Sequence, residues 1–348
     1  MKFRVDVRVL KGTAAILAVV LVLLAGMLLL QRWENTQDAP VSSSGEASSV
    51  EAGAPVDDRE ITYYDGTAYV KREDLETVLL LGVDKFKGET PEGYVNNQQA
   101  DFLLLLVMDK QHETCTPIQL NRDTMTQIQI LGVTGEPAGT FTGQLALAHT
   151  YGSGEEDSCE NTVLAVSNLL YGMEIDHYVS LTMDGVALLN DLVGGVTVEV
   201  LDDFSGIDDS LVQGETVTLQ GQQALTYVRS RGGMEDSSNL HRMERQRQYL
   251  AALQQQLKAA VQQEDGFTLD ALLQLNEYMV SDCTVNQLSD LGDCLAAYQV
   301  SDILTTPGDA QEGEEFMEFT VDEDALQQLV MDVFYEPVEE SLGKGETA

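Results

Sequence analysis

Residues Val78 to Asp84 read VLLLGVD, and Ala100 to Lys110 read ADFLLLLVMDK. Both runs are too short to cross a membrane, and neither alternates polar with apolar residues as a strand with one wet face would. They read as buried strands of a sheet covered on both faces. Thr114 to Thr124, TCTPIQLNRDT, reads as a third strand. Its alternating polarity and Pro117, which has no amide hydrogen to donate, place it nearer an edge.

Outward from these strands the patterns turn helical. Gln144 to Thr150 and Asp157 to Leu170 form two amphipathic stretches around a Tyr-Gly-Ser-Gly turn, with Ser158 or Asp157 as N-cap. Asp176 to Met183 is a strand, Asp184 to Leu192 a helix stopped by Gly194 and Gly195, and Val196 to Val200 a strand again. Gln222 to Val228 and Ser238 to Gln262 add helices. This alternation predicts an α/β fold with a mixed or mostly parallel sheet. After Gly266, helices are predicted over Leu269 to Val280 and Val285 to Tyr298, then a strand and a helix within Phe316 to Tyr335. There is no internal repeat.

At the N-terminus, Gly12 to Gln31 holds twenty residues without a charge, about 30 Å as a helix and so the thickness of a bilayer core. Lys2, Arg4, Arg8 and Lys11 precede it against one acid, Asp6, which predicts a cytoplasmic tail (1–11), a membrane helix (12–31) and an extracytoplasmic remainder. A cleaved signal peptide fits less well, since the apolar run is long and no A-x-A site follows. Ser, Ala, Pro, Gly and acids make 32–60 a flexible linker. The stretch 61–262 has the apolar content of a large domain, 263–337 reads as a helical and strand extension, and 338–348 as a tail.

The chain carries 58 acidic and 19 basic residues, a formal charge of −39. Such a surface repels nucleic acid and anionic head groups except at a local basic site. Cys115, Cys159, Cys283 and Cys294 would face a compartment that can be oxidising. Cys283 with Cys294 is the nearest pair, and four idle thiols are the alternative. There is no C-x-x-C spacing and the four histidines are scattered, so no zinc site is expected.

Against this acidic background, Arg229, Arg231, Arg242, Arg245 and Arg247 crowd into YVRSRGGMEDSSNLHRMERQR. Guanidinium forks pair with carboxylate or phosphate, so the cluster is either a neutralising network on a solvated helix or an anion site. Arg242, Arg245, Gln246 and Tyr249 fall at i, i+3, i+4 and i+7 on one helix face. Arg229 and Arg231 lie before the Gly232-Gly233 loop, so two elements converge.

In order, LLLGVDKF, QQADFLLLLVMDK, QLNRDTM, LALAHTYGSG, IDHYVSLTMDGVALLNDLVGGVTVEV, GQQALTYVRSR and RMERQRQYL resemble the LytR-CpsA-Psr family across Val78 to Leu250. The resemblance implies an α/β/α sandwich with a mixed central sheet. It also implies a membrane-anchored, extracytoplasmic phosphotransferase that moves a glycopolymer, such as wall teichoic acid or capsular polysaccharide, from a polyprenyl-pyrophosphate carrier to peptidoglycan. By the family pattern Arg122, Arg229, Arg231, Arg242, Arg245, Gln246 and Gln99 would hold the pyrophosphate. Asp84 and Asp101 would hold Mg²⁺, a hard cation suited to carboxylate and phosphate oxygens. Arg122, Asp123, Arg229 and Arg242 would carry the chemistry, with Asp123 orienting Arg122 and either Asp84 or Asp101 serving as base.

Three positions depart from that pattern. Gln99 and Ala100 stand where an arginine often precedes the second acid, Asn239 where an acid precedes the third arginine, and Gln144 near a common lysine. Each removes a charge, so a variant catalyst and a non-catalytic binder of polyprenyl-linked pyrophosphate or wall polymer are both open. The family's older label of transcriptional attenuator finds no basic recognition helix here. An apolar tunnel for the polyprenyl tail is expected from Leu103 to Val107 with Leu145 to Ala148 and Val163 to Leu170.

Overall fold

The computed structural model describes residues 60–84, 96–132, 134–230, 239–263, 267, 271, 274–284, 287–288, 298–314 and 316–338. The expected membrane helix, its cytoplasmic tail, nearly all of the linker and the C-terminal tail lie outside the described residues, as do Arg231 and Cys294. Among the described residues no helix is long and apolar enough to cross a membrane.

The chain enters on β1 (Ile61–Tyr64) and β2 (Thr67–Lys71), an antiparallel hairpin closed by Asp65 and Gly66 at φ 44° and 77°. Two positive φ values in a two-residue loop match the twist of the strands, and Asp-Gly is the pair that adopts them most readily.

The two apolar runs become β3 (Leu75–Val83) and β4 (Ala100–Asp109), paired antiparallel at the centre of a mixed sheet. β4 continues antiparallel onto β5 (Thr114–Leu120), while β3 pairs in parallel with β8 (His177–Thr182). Because helices and further strands cover both faces, odd and even residues are both buried. Leu79, Leu81, Leu103 and Leu105 join one core, and Val78, Leu80, Leu104 and Leu106 another. Each such side chain contributes about 1.5 to 3 kcal/mol by leaving water.

The first face is covered by a 3-10 turn (Leu145–Thr150), α1 (Glu156–Leu169) and α5 (Glu323–Phe334). The expected caps of α1 sit inside its first turn instead. The Asp157 carboxylate accepts from the Ser153 amide at 3.0 Å and the Ser158 hydroxyl from the Gly154 amide at 2.9 Å, bracing the turn before the helix. The second face carries α2 (Met183–Leu192), α3 (Gly221–Arg229) and α4 (Asn239–Gln263), which share a core with β9 (Val196–Glu199) and β10 (Thr216–Leu219). α2 stops as expected: Gly194 and Gly195 take φ of 80° and 94°, and their amides return to Asp191 and Asn190 at 3.0 and 2.9 Å.

Of the two sheet types expected, the structure has the mixed one, with β3–β4 and β4–β5 antiparallel and β3–β8 parallel. Three features differ from the sequence reading. The strand after α2, β9, leaves the central sheet to pair with β10. β6 (Met125–Leu131) and β7 (Pro137–Gln144) form a hairpin in a stretch to which the sequence reading assigned no element, its signal being the alternation of Thr126, Ile128 and Ile130 with glutamines. The expected helix Leu269 to Val280 ends early, in a 3-10 turn (Asn276–Tyr278) and β11 (Met279–Ser281), which adds antiparallel to β8. Most of Val285 to Tyr298 lies outside the described residues.

The stretch 263–337, expected as an extension, supplies edge strands. β12 (Gln299–Val300) and β13 (Leu304–Thr305) pair in parallel with Thr114–Cys115 and Ile118–Gln119 of β5, leaving Pro117 between them. The proline's missing donor thus falls where the edge is interrupted. After β14 (Gly308–Glu312), β15 (Met317–Val321) and α5, β16 (Tyr335–Pro337) returns to pair with β2.

Candidate active site

The C-terminal end of β3 meets the start of β4 at a bulge: Gly82 pairs with Phe102 and Val83 with Ala100, leaving Asp101 as the extra residue. Strict alternation would put Asp101 and Phe102 on opposite faces. The bulge lets both border one cavity. Gly82 belongs to the same device, because a Cβ there would lie 2.9 Å from the Phe102 Cβ.

That cavity, of about 140 Å³, lies between the central sheet and the α2–α4 layer. Leu80 and Leu104 form its floor, Leu181, Met183, Val186 and Leu189 one wall, and Val228, Tyr249, Leu250 and Leu253 the other. Asp101, Arg229, Arg242 and Gln246 are its polar border. The lining expected for a tunnel, Leu103 to Val107, is therefore not what borders this cavity, which lies on the opposite face of the sheet. Leu104 borders the cavity, but Leu103, Leu105, Leu145, Ala148 and Val166 are packed in the core beneath α1. With both faces of β4 apolar, periodicity could not choose between them.

The polar border is assembled from distant segments. Asn121 turns the chain after β5, its carbonyl accepting from the Thr124 amide at 3.1 Å and its side chain from the Asp123 amide at 3.0 Å. This turn aims Arg122 back at β4, where its guanidinium hydrogen-bonds the Asp101 carboxylate and the Gln99 side-chain carbonyl. Its Nε lies 3.3 Å from Asp123. Arg242, in the first turn of α4, comes within 3.9 Å of the other oxygen of Asp101. Arg229 closes α3 and lies 2.7 Å from Asp84, which follows β3. Arg122, Asp101, Asp123 and Arg242 are buried, whereas Arg229 and Asp84 are about one-third exposed, with side-chain accessibilities of 29% and 30%.

The three departures fit into this network as neutral partners. Gln99 accepts from Arg122. Asn239 accepts from Arg242 Nε at 2.7 Å and donates to Asn121 at 2.8 Å. Gln144 donates to Asp123 at 3.0 Å and to the Met317 carbonyl at 2.8 Å. Asn121, Asn239 and Gln144 thus hold the charged residues in place, a positioning role that no residue-type pattern in the sequence announces.

Of the residues expected at the site, Gln99, Asp101, Arg122, Asp123 and Arg242 form one network, Asp84 and Arg229 a second pair beside it, and Gln246 borders the cavity while donating to the Val228 carbonyl at 3.2 Å. Arg245 does not join them. Fully buried, it pairs with Asp202, donates to the Ser230 carbonyl and, at 2.7 Å, to the Tyr227 carbonyl, and lies 5.4 Å from the Phe204 ring centroid. Its charge is spent on joining α3, α4 and the segment after β9. Arg231 lies outside the described residues.

Fold and site together define a mixed α/β protein in which an apolar cavity opens at a border of arginines and carboxylates. The LytR_cpsA_psr family model matches residues 39–333, and the chain belongs to that family. Among curated relatives, it is similar to a polyisoprenyl-teichoic acid–peptidoglycan teichoic acid transferase TagU of Halalkalibacterium halodurans, at 30% identity over 204 residues, 58% of this chain and 60% of that protein. It is similar also to TagV of Bacillus subtilis, at 29% identity over 53% of this chain and 44% of that protein. In these matches the chain spans about half the length of its relatives. Among solved structures, TagT bound to LI-WTA superposes with a TM-score of 0.56 at 21% identity, covering 75% of this chain and 90% of that one. Bacillus subtilis TagV does so at 0.52 and 21%, covering 75% and 97%. These likenesses establish the fold.

Proposed function

We propose that this chain is an extracytoplasmic phosphotransferase that moves a glycopolymer from a polyprenyl-pyrophosphate carrier to peptidoglycan, anchored by residues 12–31 with its N-terminus in the cytoplasm. The observation that carries this is the convergence of Arg122, Arg229 and Arg242, from three separate segments, at the mouth of the cavity. In this reading α1 with α5, the sheet and the α2–α4 layer form the α/β/α sandwich that receives the polyprenyl chain between two of its layers, and the arginines meet the pyrophosphate.

In the reaction a sugar hydroxyl of the wall attacks the sugar-linked phosphorus. A new P–O bond forms, the bond to the bridging oxygen breaks, and polyprenyl phosphate leaves. The hydroxyl proton passes to Asp84 or Asp101, the carboxylates nearest the mouth. Arg122 and Arg242 stabilise the charge that grows on the departing phosphate, and removing one such donor costs about 10²- to 10³-fold in rate.

The residues at the mouth fit a divalent cation. Asp84 and Asp101 offer hard oxygen ligands from adjacent strand ends. The guanidiniums of Arg122, Arg229 and Arg242 are matched by the carboxylates of Asp84, Asp101 and Asp123. A pyrophosphate would bring negative charge into this balanced set, and Mg²⁺ held by Asp84 and Asp101 would offset it and act as a Lewis acid on the phosphate oxygens.

Incubating the full-length chain with a labelled polyprenyl-pyrophosphate glycan, peptidoglycan oligomers and Mg²⁺ should give a covalent conjugate, and chelation should abolish it. No conjugate at any metal concentration would refute the transfer. The neutral partners Gln99, Asn239 and Gln144 favour a second reading, a protein that holds the lipid-linked pyrophosphate without turnover. Tight binding with no conjugate and no released polyprenyl phosphate would select it.

A further inference from the structure

We propose that His177, Asp282 and Cys283 form a binding site for a zinc-class transition metal, at the end of the central sheet remote from the arginine mouth. Their ligand atoms all lie within 4.8 Å of one another, although 105 residues of sequence separate His177 from Asp282. His177 opens β8 opposite Val78 of β3, whereas the mouth begins where Thr182 lies opposite Val83. The two points lie five residue steps apart along the strand, about 16 Å, so the two sites do not share ligands.

The cluster is held in place by backbone. One oxygen of Asp282 accepts from the Tyr178 amide at 2.9 Å, which leaves its second oxygen 3.5 Å from His177 Nδ1. The Ser281 hydroxyl donates to the Tyr178 carbonyl at 2.7 Å and accepts from the Cys283 amide at 3.1 Å, fixing the chain that carries the thiol. On the far side of the ring, Nε2 faces Gln287 Nε2 at 3.2 Å and Glu76 Oε1 at 3.8 Å.

Thiolate, imidazole and carboxylate together suit zinc rather than magnesium or calcium. Zinc bonds of about 2.0 to 2.3 Å put tetrahedral donors about 3.3 to 3.8 Å apart; the 3.5 Å between Asp282 and His177 Nδ1 already matches this, and the whole set lies within 4.8 Å. Cys283 is buried, while Asp282 is one-third exposed, with a side-chain accessibility of 34%, and gives an ion a way in. Three protein ligands leave a fourth position for water. The bound metal would clamp the segment after β11 to the start of β8, tying the C-terminal stretch to the sheet.

The test is a Co²⁺ titration of the purified full-length chain after chelation and reduction, read by absorbance. The expected result is a thiolate-to-cobalt charge-transfer band that saturates at one equivalent, is absent in Cys283→Ser and in His177→Gln, and is retained in Asp84→Asn and Asp101→Asn. Far-UV circular dichroism confirms that the variants are folded, and Asp282→Asn, which keeps the side-chain shape, should weaken binding at least tenfold. The proposal is overturned if wild type shows no such band, if the band survives in Cys283→Ser, or if the two mouth variants remove it. Detection of Cys283 in a disulfide with Cys294 in the chain isolated without reductant would also overturn it.

Discussion

Arg229 reaches back across 145 residues of sequence to Asp84, its Nη2 lying 2.7 Å from Oδ1 at the lip of the apolar cavity. Both side chains keep about one-third of their surface exposed, which makes the pair a poor contributor to stability and an accessible one for a ligand. Arg229→Ala should therefore cost under about 1 kcal/mol in denaturant unfolding. Glycopolymer transfer in single-turnover assays should fall by about 10²-fold or more. A large loss of stability with unchanged transfer would make the pair structural.

Arg245 is expected to behave in the opposite way. It stands one helical turn from Arg242 but pairs with Asp202 away from the cavity. Arg245→Met would leave that carboxylate only the half-exposed His241, 3.2 Å away, and breaking a largely buried pair in this manner costs up to about 3 to 5 kcal/mol. Urea unfolding should show the loss, while affinity for a polyprenyl pyrophosphate in the folded fraction stays within twofold of wild type. Arg242→Met should weaken binding instead.

The cavity offers a separation of tail from head group. Val186 of α2 borders it opposite Leu104 of β4, so Val186→Trp fills space that a polyprenyl chain would occupy. Calorimetry should find binding of a long-chain polyprenyl phosphate weakened at least tenfold and binding of inorganic pyrophosphate unchanged. Equal loss of both would mean that the substitution disturbs the mouth and that the cavity is not the lipid site.

Acid stability should follow Asp109 at the far end of β4. Burial alone would raise its carboxyl, but hydrogen bonds from the backbone and ring of His112, with the charges of His112 and Arg72, outweigh that and hold it below the usual range. A carboxyl depressed in the folded state stabilises fully above its unfolded value, about 3.9, and that stability is lost as pH falls through the folded value. Asp109→Asn should lower the melting temperature near neutrality and flatten its decline below about pH 4. An unchanged acid limb would remove Asp109 from that role.

The fold was most legible where one local rule decided the outcome. Apolar runs between acids marked β3 and β4, and the glycine pair after Leu192 ended α2. The β6–β7 hairpin escaped because its second strand, PAGTFTGQ, has little to bury and matches no apolar period. The edge strands β11, β12 and β13 are two or three residues long, too short to carry a period, and exist only because the exposed edges of β8 and β5 accept them. Arg242 and Arg245 share a helix face by spacing, yet α4 packs that face across a boundary between the cavity and the core around Phe204, so adjacent turns meet different surroundings.

From its residues alone this chain declares a sheet buried on both sides, an excess of negative charge, and a small set of arginines and acids that match a family pattern in order. Those properties depend on side-chain type and local spacing, which are written along the backbone. Which face of β4 opens into a cavity, which arginine reaches it, and whether His177 finds Asp282 and Cys283 depend on contacts between segments a hundred or more residues apart. Folding alone chooses those contacts, because the apolar surfaces that drive it are non-directional and do not encode which distant neighbour will cover them.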